Sequence, residues 1–173
     1  MIHLETSPQI TLRELDPDKD VEAVASLYNE IEEYVVFETG GPPTEATITE
    51  FFEGRPSSVP ISQKLLLAIQ TAENRDIGLV EIIRGYPESS DWYIGFFVLA
   101  PQYRTAGMGK TALDLVIASA AAEGAKRILL CVLEGNPRGR SFWEREGFVY
   151  HRTAPPYNAG TQSHTCYEFV RTI

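Results

Sequence analysis

Cysteine, histidine and positive charge are all scarce in this chain of 173 residues, and each scarcity excludes a class of function. Two cysteines, Cys131 and Cys166, are too few for a disulfide framework and too far apart for a metal motif, so both are expected to act as small apolar residues. His3, His151 and His164 show no ligand spacing, and no metal is expected. Fifteen lysines and arginines stand against 24 acidic residues, a formal charge of −9. An acidic surface repels nucleic acid at long range and attracts cations. Apolar runs long enough to span a bilayer are also lacking, and Met1 to Glu5 has no apolar secretory core, which makes the cytoplasm the expected compartment. No repeat, low-complexity stretch or linker divides the chain, so residues 1–173 are expected to form one domain.

What is present is an ordinary globular composition, 43% hydrophobic and 23% charged. The densest signal runs from Ile94 to Lys110. Ile94 to Leu99 is apolar without polar alternation, as in a strand buried on both faces, and Ala100 and Pro101 end it. From Gly109, Leu113, Val116, Ile117, Ala120 and Ala121 recur at helical spacing, with Gly124 as the stop. Between them lies Arg104-Thr105-Ala106-Gly107-Met108-Gly109, at a helix N-terminus whose free amides and dipole favour an anion. Gly107 and Gly109 let a phosphate approach the main chain, and either is free to take a positive φ.

Elsewhere, Gln9 to Leu15 alternates as a first strand, and Val21 to Tyr28 carries an amphipathic helix. Glu30, Glu32, Glu33 and Glu38 cluster after it, either as a solvated face or as the wall of a site for a cationic substrate. Thr44 to Glu53 reads as a second helix after a glycine-proline break, and Lys64 to Thr71 and Ile77 to Arg84 read as a hairpin. Arg127 to Leu133 is a fifth strand, Asn136-Pro137 caps a helix closed by Gly147, and Phe148 to Arg152 and Thr165 to Arg171 complete the strands. Pro155, Pro156, Asn158 and Gly160 are expected in the loop between the last two.

The loop Arg104 to Gly109 matches Q/R-x-x-G-x-G/A, and Asn136 to Phe148 (NPRGRSFWEREGF) aligns Asn136, Arg138, Gly147 and Phe148 with a second block. Together they resemble the acyl-CoA signature of the GNAT superfamily of N-acetyltransferases. The resemblance is specific over Trp92 to Phe148 and rests on element order alone before it. It implies an α/β fold of the α+β type: a mixed, largely antiparallel twisted sheet of about seven strands with about four helices, opening between the fourth and fifth strands to admit acyl-CoA. It further implies an acetyl-CoA co-substrate held by Val98, by the loop residues Arg104, Thr105, Ala106, Gly107, Met108, Gly109 and Lys110, and by Asn136. Homodimers are frequent in the family.

The same resemblance implies direct attack of a neutral amine on the thioester, with the Val98 N–H facing the developing oxyanion, a contribution of about 10²-fold or more. Many relatives carry a glutamate base three residues before the Val98 position, where this chain has Gly95. Glu81 and Asp91 are the substitutes, with Glu81 acting through water favoured. The family's usual acid, a tyrosine, is replaced by Trp143, which has no accessible acidic proton and either donates a hydrogen bond or simply packs beside Phe142. The expectation is an active but slow enzyme, by roughly 10²-fold, or one in which Tyr150 reaches the sulfur.

Two other readings compete. Gly109-Lys110-Thr111 is the end of a P-loop, but its first glycine is replaced by Arg104. A CoA-binding module without turnover also fits the atypical catalytic positions.

Overall fold

The computed structural model describes residues 9–173, so the readings placed on Met1 to Glu5 and on His3 lie outside the described residues. The elements run β1 (Ile10–Glu14), α1 (Val21–Glu30), α2 (Glu32–Thr39), α3 (Glu45–Glu53), β2 (Lys64–Thr71), β3 (Asp76–Arg84) and β4 (Asp91–Leu99), then α4 (Met108–Ala122), β5 (Arg127–Leu133), α5 (Pro137–Arg145), β6 (Val149–Ala159) and β7 (Gln162–Thr172). They build one sheet in the order β1-β2-β3-β4-β5-β7-β6. Every neighbouring pair is antiparallel except β4 and β5, which the α4 crossover makes parallel. The fold is therefore the mixed, largely antiparallel sheet that the resemblance implies.

Both faces are covered, and period-2 alternation along the strands sorts side chains between them. Val80 and Ile82 of β3 join Trp92, Ile128, Leu113 and Val116 in the core under α4 and α5. Leu79 faces the other way, onto Tyr28, Val35 and Phe51 beneath α1 to α3. At one end Asp91 is fully buried and receives Nε and Nη2 of Arg127 at 2.9 and 2.7 Å, which pins the starts of β4 and β5 together.

Three expectations need correction. The acidic stretch is a helix of its own: α2 follows α1 after a break at Ile31 (φ −107°), and the buried stripe Leu27, Tyr28, Ile31, Val35 runs through both. Dense glutamates hid that stripe, which makes five helices among the described residues where about four are expected. Secondly, β6 continues through Pro155 and Pro156. It is the edge strand, where a proline's missing N–H costs no ladder bond, and the register shifts between Ala154 and Tyr157 to accommodate the pair. Finally, β4 is not buried along its length: Gly95 is exposed and Phe96, Phe97 and Val98 are half-buried. Their exposure marks where the sheet opens.

Candidate active site

The opening is written in two registers that end at one residue. On one side β4 pairs with β5 only from Asp91↔Arg127 to Ile94↔Leu130; beyond it, β5 pairs with β7 alone. On the other side the β3–β4 register passes from Ile82↔Ile94 to Glu81↔Phe96, so Gly95 is an unpaired bulge residue. A bulge bends and twists its strand, and this one swings the second half of β4 away from β5. The gap thus begins at Gly95.

The ladder decides which amides face it. Ala100 N–H donates to Ile77 C=O at 2.8 Å, which makes Ala100↔Ile77 a hydrogen-bonded pair in the register that also joins Val98 to Leu79. By antiparallel alternation Val98 N–H is spent on Leu79, and the groups of Phe97 and Leu99 point across the gap. The expectation that Val98 N–H faces the oxyanion is therefore corrected: the donor on the open edge is Phe97. Hydrophobicity shows where a strand runs but not its ladder phase, which is why the offset by one was invisible in sequence.

At the α4 end of the gap, Ala106 (φ 62°) and Gly107 (φ 74°) are successive left-handed residues leading into the helix. The first helical bond is Thr111 N–H to Gly107 C=O, so the amides before it have no helix partner. Space in front of Gly107 is open: an added Cβ would meet nothing within 4 Å. Gly109 has a different task, since its φ is not positive and a Cβ there would stand 3.3 Å from Phe142. The basic side chains are tethered rather than free. Arg104 pairs with Glu33 at 2.7 Å and donates Nε to Leu99 C=O, while Lys110 is held by Asp114 at 2.6 Å. What the loop leaves exposed to an anion is its main-chain amides. Thr105 is exposed and Met108 half-buried within the same loop, and Asn136 caps α5 by accepting Gly139 N–H at 2.9 Å, which leaves its side-chain NH₂ to donate.

On β3, which flanks β4 on the side away from β5, Glu81 reaches the start of the gap. Its carboxylate stands 2.9 Å from where a Gly95 Cβ would be, so it occupies the space that a residue-95 side chain would fill. Lys64, itself only 1% exposed, pairs with it at 3.2 Å. Burial pushes the Glu81 carboxyl above its usual range, Lys64 pulls against this, and Glu50 and Glu38 push further up. Asp91, the other candidate base, is excluded: the Arg127 guanidinium holds its carboxyl below the usual range, at the closed end of the sheet.

Neither Trp143 as a hydrogen-bond donor to the sulfur nor Tyr150 as the acid is in position. Trp143 is 8% exposed and edge-on to Phe142, Phe97 and Phe148 with centroids 4.9, 5.3 and 5.2 Å apart, so packing accounts for it. Tyr150 lies on β6, with β7 and β5 between it and β4; it is 53% exposed and shares a hydrogen bond with Thr153. At about 4.8 Å per strand it stands some 14 Å from β4, out of reach of the gap. Lys110 paired to Asp114, on a largely antiparallel sheet, also leaves no P-loop.

Sequence reasoning missed the far wall. The β6–β7 hairpin folds over the end of α2: Tyr157 OH donates to Glu38 Oε1 (3.0 Å), His164 Nε2 to Glu38 C=O (2.8 Å) and Thr161 N–H to Thr39 C=O (2.9 Å). Only Glu38 of the acidic cluster belongs to this wall. Glu33 is drawn to Arg104, and Glu30 to Gln102 at 2.8 Å. Cys131 and Cys166 lie diagonally across the β5–β7 ladder, both as free thiols.

Comparison with known proteins agrees with this architecture. The acetyltransferase (GNAT) domain model matches residues 9–149. An uncharacterised N-acetyltransferase of Mycobacterium tuberculosis is 30% identical over 139 residues, covering 76% of this chain and 87% of its own length, and one from Mycobacterium bovis matches equally. Among solved structures, an acetyltransferase of Thermus thermophilus superposes with a TM-score of 0.75 at 19% identity, covering 96% of this chain and 99% of that one. A spermidine N-acetyltransferase of Vibrio cholerae, crystallised with CoA and spermine, gives 0.72 at 19% identity with 95% of both chains covered. The domain model spans most of the chain and the mycobacterial relatives match over three quarters of it, so the chain belongs to the GNAT family of N-acetyltransferases.

Proposed function

We propose that the protein transfers an acetyl group from acetyl-CoA to a cationic primary amine by direct attack within a ternary complex. The observation that carries this reading is the meeting of three things at Gly95: the bulge, the departure of β5, and the Glu81 carboxylate. The pyrophosphate is assigned to the amides from Thr105 to Lys110, the pantetheine arm to the open edge of β4 at Phe97 and Leu99 with Asn136 opposite, and the acceptor to the face of α2.

An amine reaches neutral water as an ammonium ion and must lose a proton before it attacks. Glu81, pushed up by burial, takes that proton through water, a contribution of about 10² to 10⁴. Attack places negative charge on the thioester oxygen, and Phe97 N–H is the donor aimed at the gap. The amine nitrogen bonds to the acyl carbon, the carbon–sulfur bond breaks, the nitrogen gives its remaining excess proton to solvent to leave the amide, and CoA departs as a thiolate that takes a proton from solvent. Because a thiol pKa is near 8.5, that departure proceeds without a positioned acid, at a cost of roughly 10²-fold. Net charge draws cationic acceptors towards the site.

The test is thiol release from acetyl-CoA over a panel of primary amines. Amine-dependent release that disappears in Glu81→Gln while acetyl-CoA still binds is expected. Tight acetyl-CoA binding with no release on any amine would make the chain a binding module instead.

A further inference from the structure

The α2 wall contains a carboxylate that no lysine or arginine among the described residues pairs with. It is that of Glu38, which receives the Tyr157 hydroxyl and sits near the His164 ring. Burial pushes its carboxyl above the usual range, the sign of an ionised group short of solvent and of a counter-charge. Glu81, by contrast, has Lys64. Glu38 and Glu81 are near enough for the charge of one to raise the carboxyl of the other.

The surroundings of these two carboxylates are joined by packed rings. Phe96 is the ladder partner of Glu81. Tyr28 stacks on Phe96 at 5.7 Å with the planes 3° apart, Tyr34 lies 6.1 Å from Phe96 and 5.9 Å from Phe37, and Phe37 packs on His164 at 5.1 Å. A continuous aromatic wall therefore leads from the base beside the gap to Glu38. Such a wall suits a methylene chain, and its ring faces favour a cation at either end. The hairpin bonds to Glu38 and Thr39 hold the far end in place.

We infer that Glu38 is a specificity-determining residue that binds a second ammonium group of the acceptor, so that the preferred substrate class is a short aliphatic diamine whose distal amine pairs with Glu38 while the proximal one reacts beside Glu81. The inference rests on the proposed transferase reading of the gap and narrows it. An acceptor with one amine leaves the Glu38 charge uncompensated; a diamine supplies the missing partner and loses little in ordering along the rings.

The experiment compares 1,4-diaminobutane with 1-aminobutane as acceptors, by kcat/KM at saturating acetyl-CoA and, independently of turnover, by calorimetric binding to the CoA-loaded protein. For the parent, diamine kcat/KM is expected to exceed that of the monoamine at least tenfold, chiefly through KM. Glu38→Gln, which keeps the volume and an acceptor for Tyr157, collapses the ratio to near one, and Glu38→Asp restores part of it. A ratio near one in the parent, or a Glu38→Gln ratio equal to the parent's, overturns the inference even if the enzyme is active. If no amine is acetylated at all, the transferase reading fails, and the binding arm decides the inference by itself. Diamine binding that is tenfold tighter than monoamine binding and lost in Glu38→Gln upholds it, and equal or absent binding overturns it.

Discussion

The two sides of the gap meet their ligands with opposite means. On the α4 side the charged side chains cancel one another, Arg104 with Glu33 and Lys110 with Asp114, and what remains for an anion is exposed main chain between Thr105 and Lys110. The α2 side has carboxylates out of solvent, Glu81 with a lysine beside it and Glu38 with a phenol and the His164 ring. Backbone amides bind a diphosphate without reading anything else about the molecule, so on the proposed reading the first side holds the co-substrate and no more. The second side discriminates, because each desolvated charge is satisfied only by a partner of the right sign at the right separation. One half of the reaction is therefore held by peptide geometry and the other by side-chain chemistry.

Substitutions that act on one side alone test that division. The largest effect is expected at Glu81→Gln: kcat/KM falls by about 10² to 10⁴, while acetyl-CoA affinity measured by calorimetry is unchanged. If Glu81 with its raised carboxyl acts ionised as proposed, kcat/KM of the parent climbs with pH as Glu81 loses its proton, and the variant lacks that rise. An identical pH profile in the two proteins would remove Glu81 from the chemistry.

Next comes the wall beneath β4. Trp143→Ala opens a cavity among Phe97, Phe142 and Phe148 and is expected to cost about 3–5 kcal/mol in denaturant unfolding. Trp143→Tyr keeps much of the packing and should leave kcat unraised, because the ring is walled in on three sides. A gain in kcat would show that this position is a vacant acid site after all.

A smaller loss, confined to the other side, follows from Gly107→Glu. The residue has φ 74° and faces open space, so the variant is strained at the main chain and sets a carboxylate before the amides. Acetyl-CoA binding is expected to weaken by about 10- to 100-fold, with amine binding untouched. Loss of both together would mean that the two sides are not independent.

The same division explains what could be read from residue order. The α4 side is local: the glycines, the Pro137 helix start and the Asn136 cap lie within a few residues of the groups they serve, so their spacing carries the geometry. Glu38 meets Tyr157 and His164, and Thr39 meets Thr161, across more than a hundred residues, and no local pattern announces such contacts. Val98 failed for a subtler reason. Its strand was legible, but the Gly95 bulge shifts the phase of the ladder, and a shift of one turns every N–H to the opposite edge. Tyr150 failed because strand order placed β7 and β5 between it and the gap, and sheet order is set by pairing that the β6 sequence does not contain.

The smallest effect is on stability, and its sign is opposite to the usual result of altering a buried residue. Burial raises the Glu38 carboxyl in the folded protein, so at pH values between the ordinary glutamate range and that raised value the native state holds more protons than the unfolded chain. Stability contributed by this group is accordingly full below the ordinary range and is lost as pH rises through the raised value. Glutamine does not titrate and still accepts the Tyr157 hydroxyl, so Glu38→Gln escapes that loss. Without ligand, its Tm is expected to exceed that of the parent at pH 7, with the difference closing as the pH is lowered to about 4. Added 1,4-diaminobutane should then narrow the gap at pH 7 from the other direction, by stabilising the parent alone. A Glu38→Gln protein less stable than its parent at neutral pH would show that the ionised carboxylate is already well partnered within the fold, and the contrast between the two sides of the gap would rest on Glu81 only.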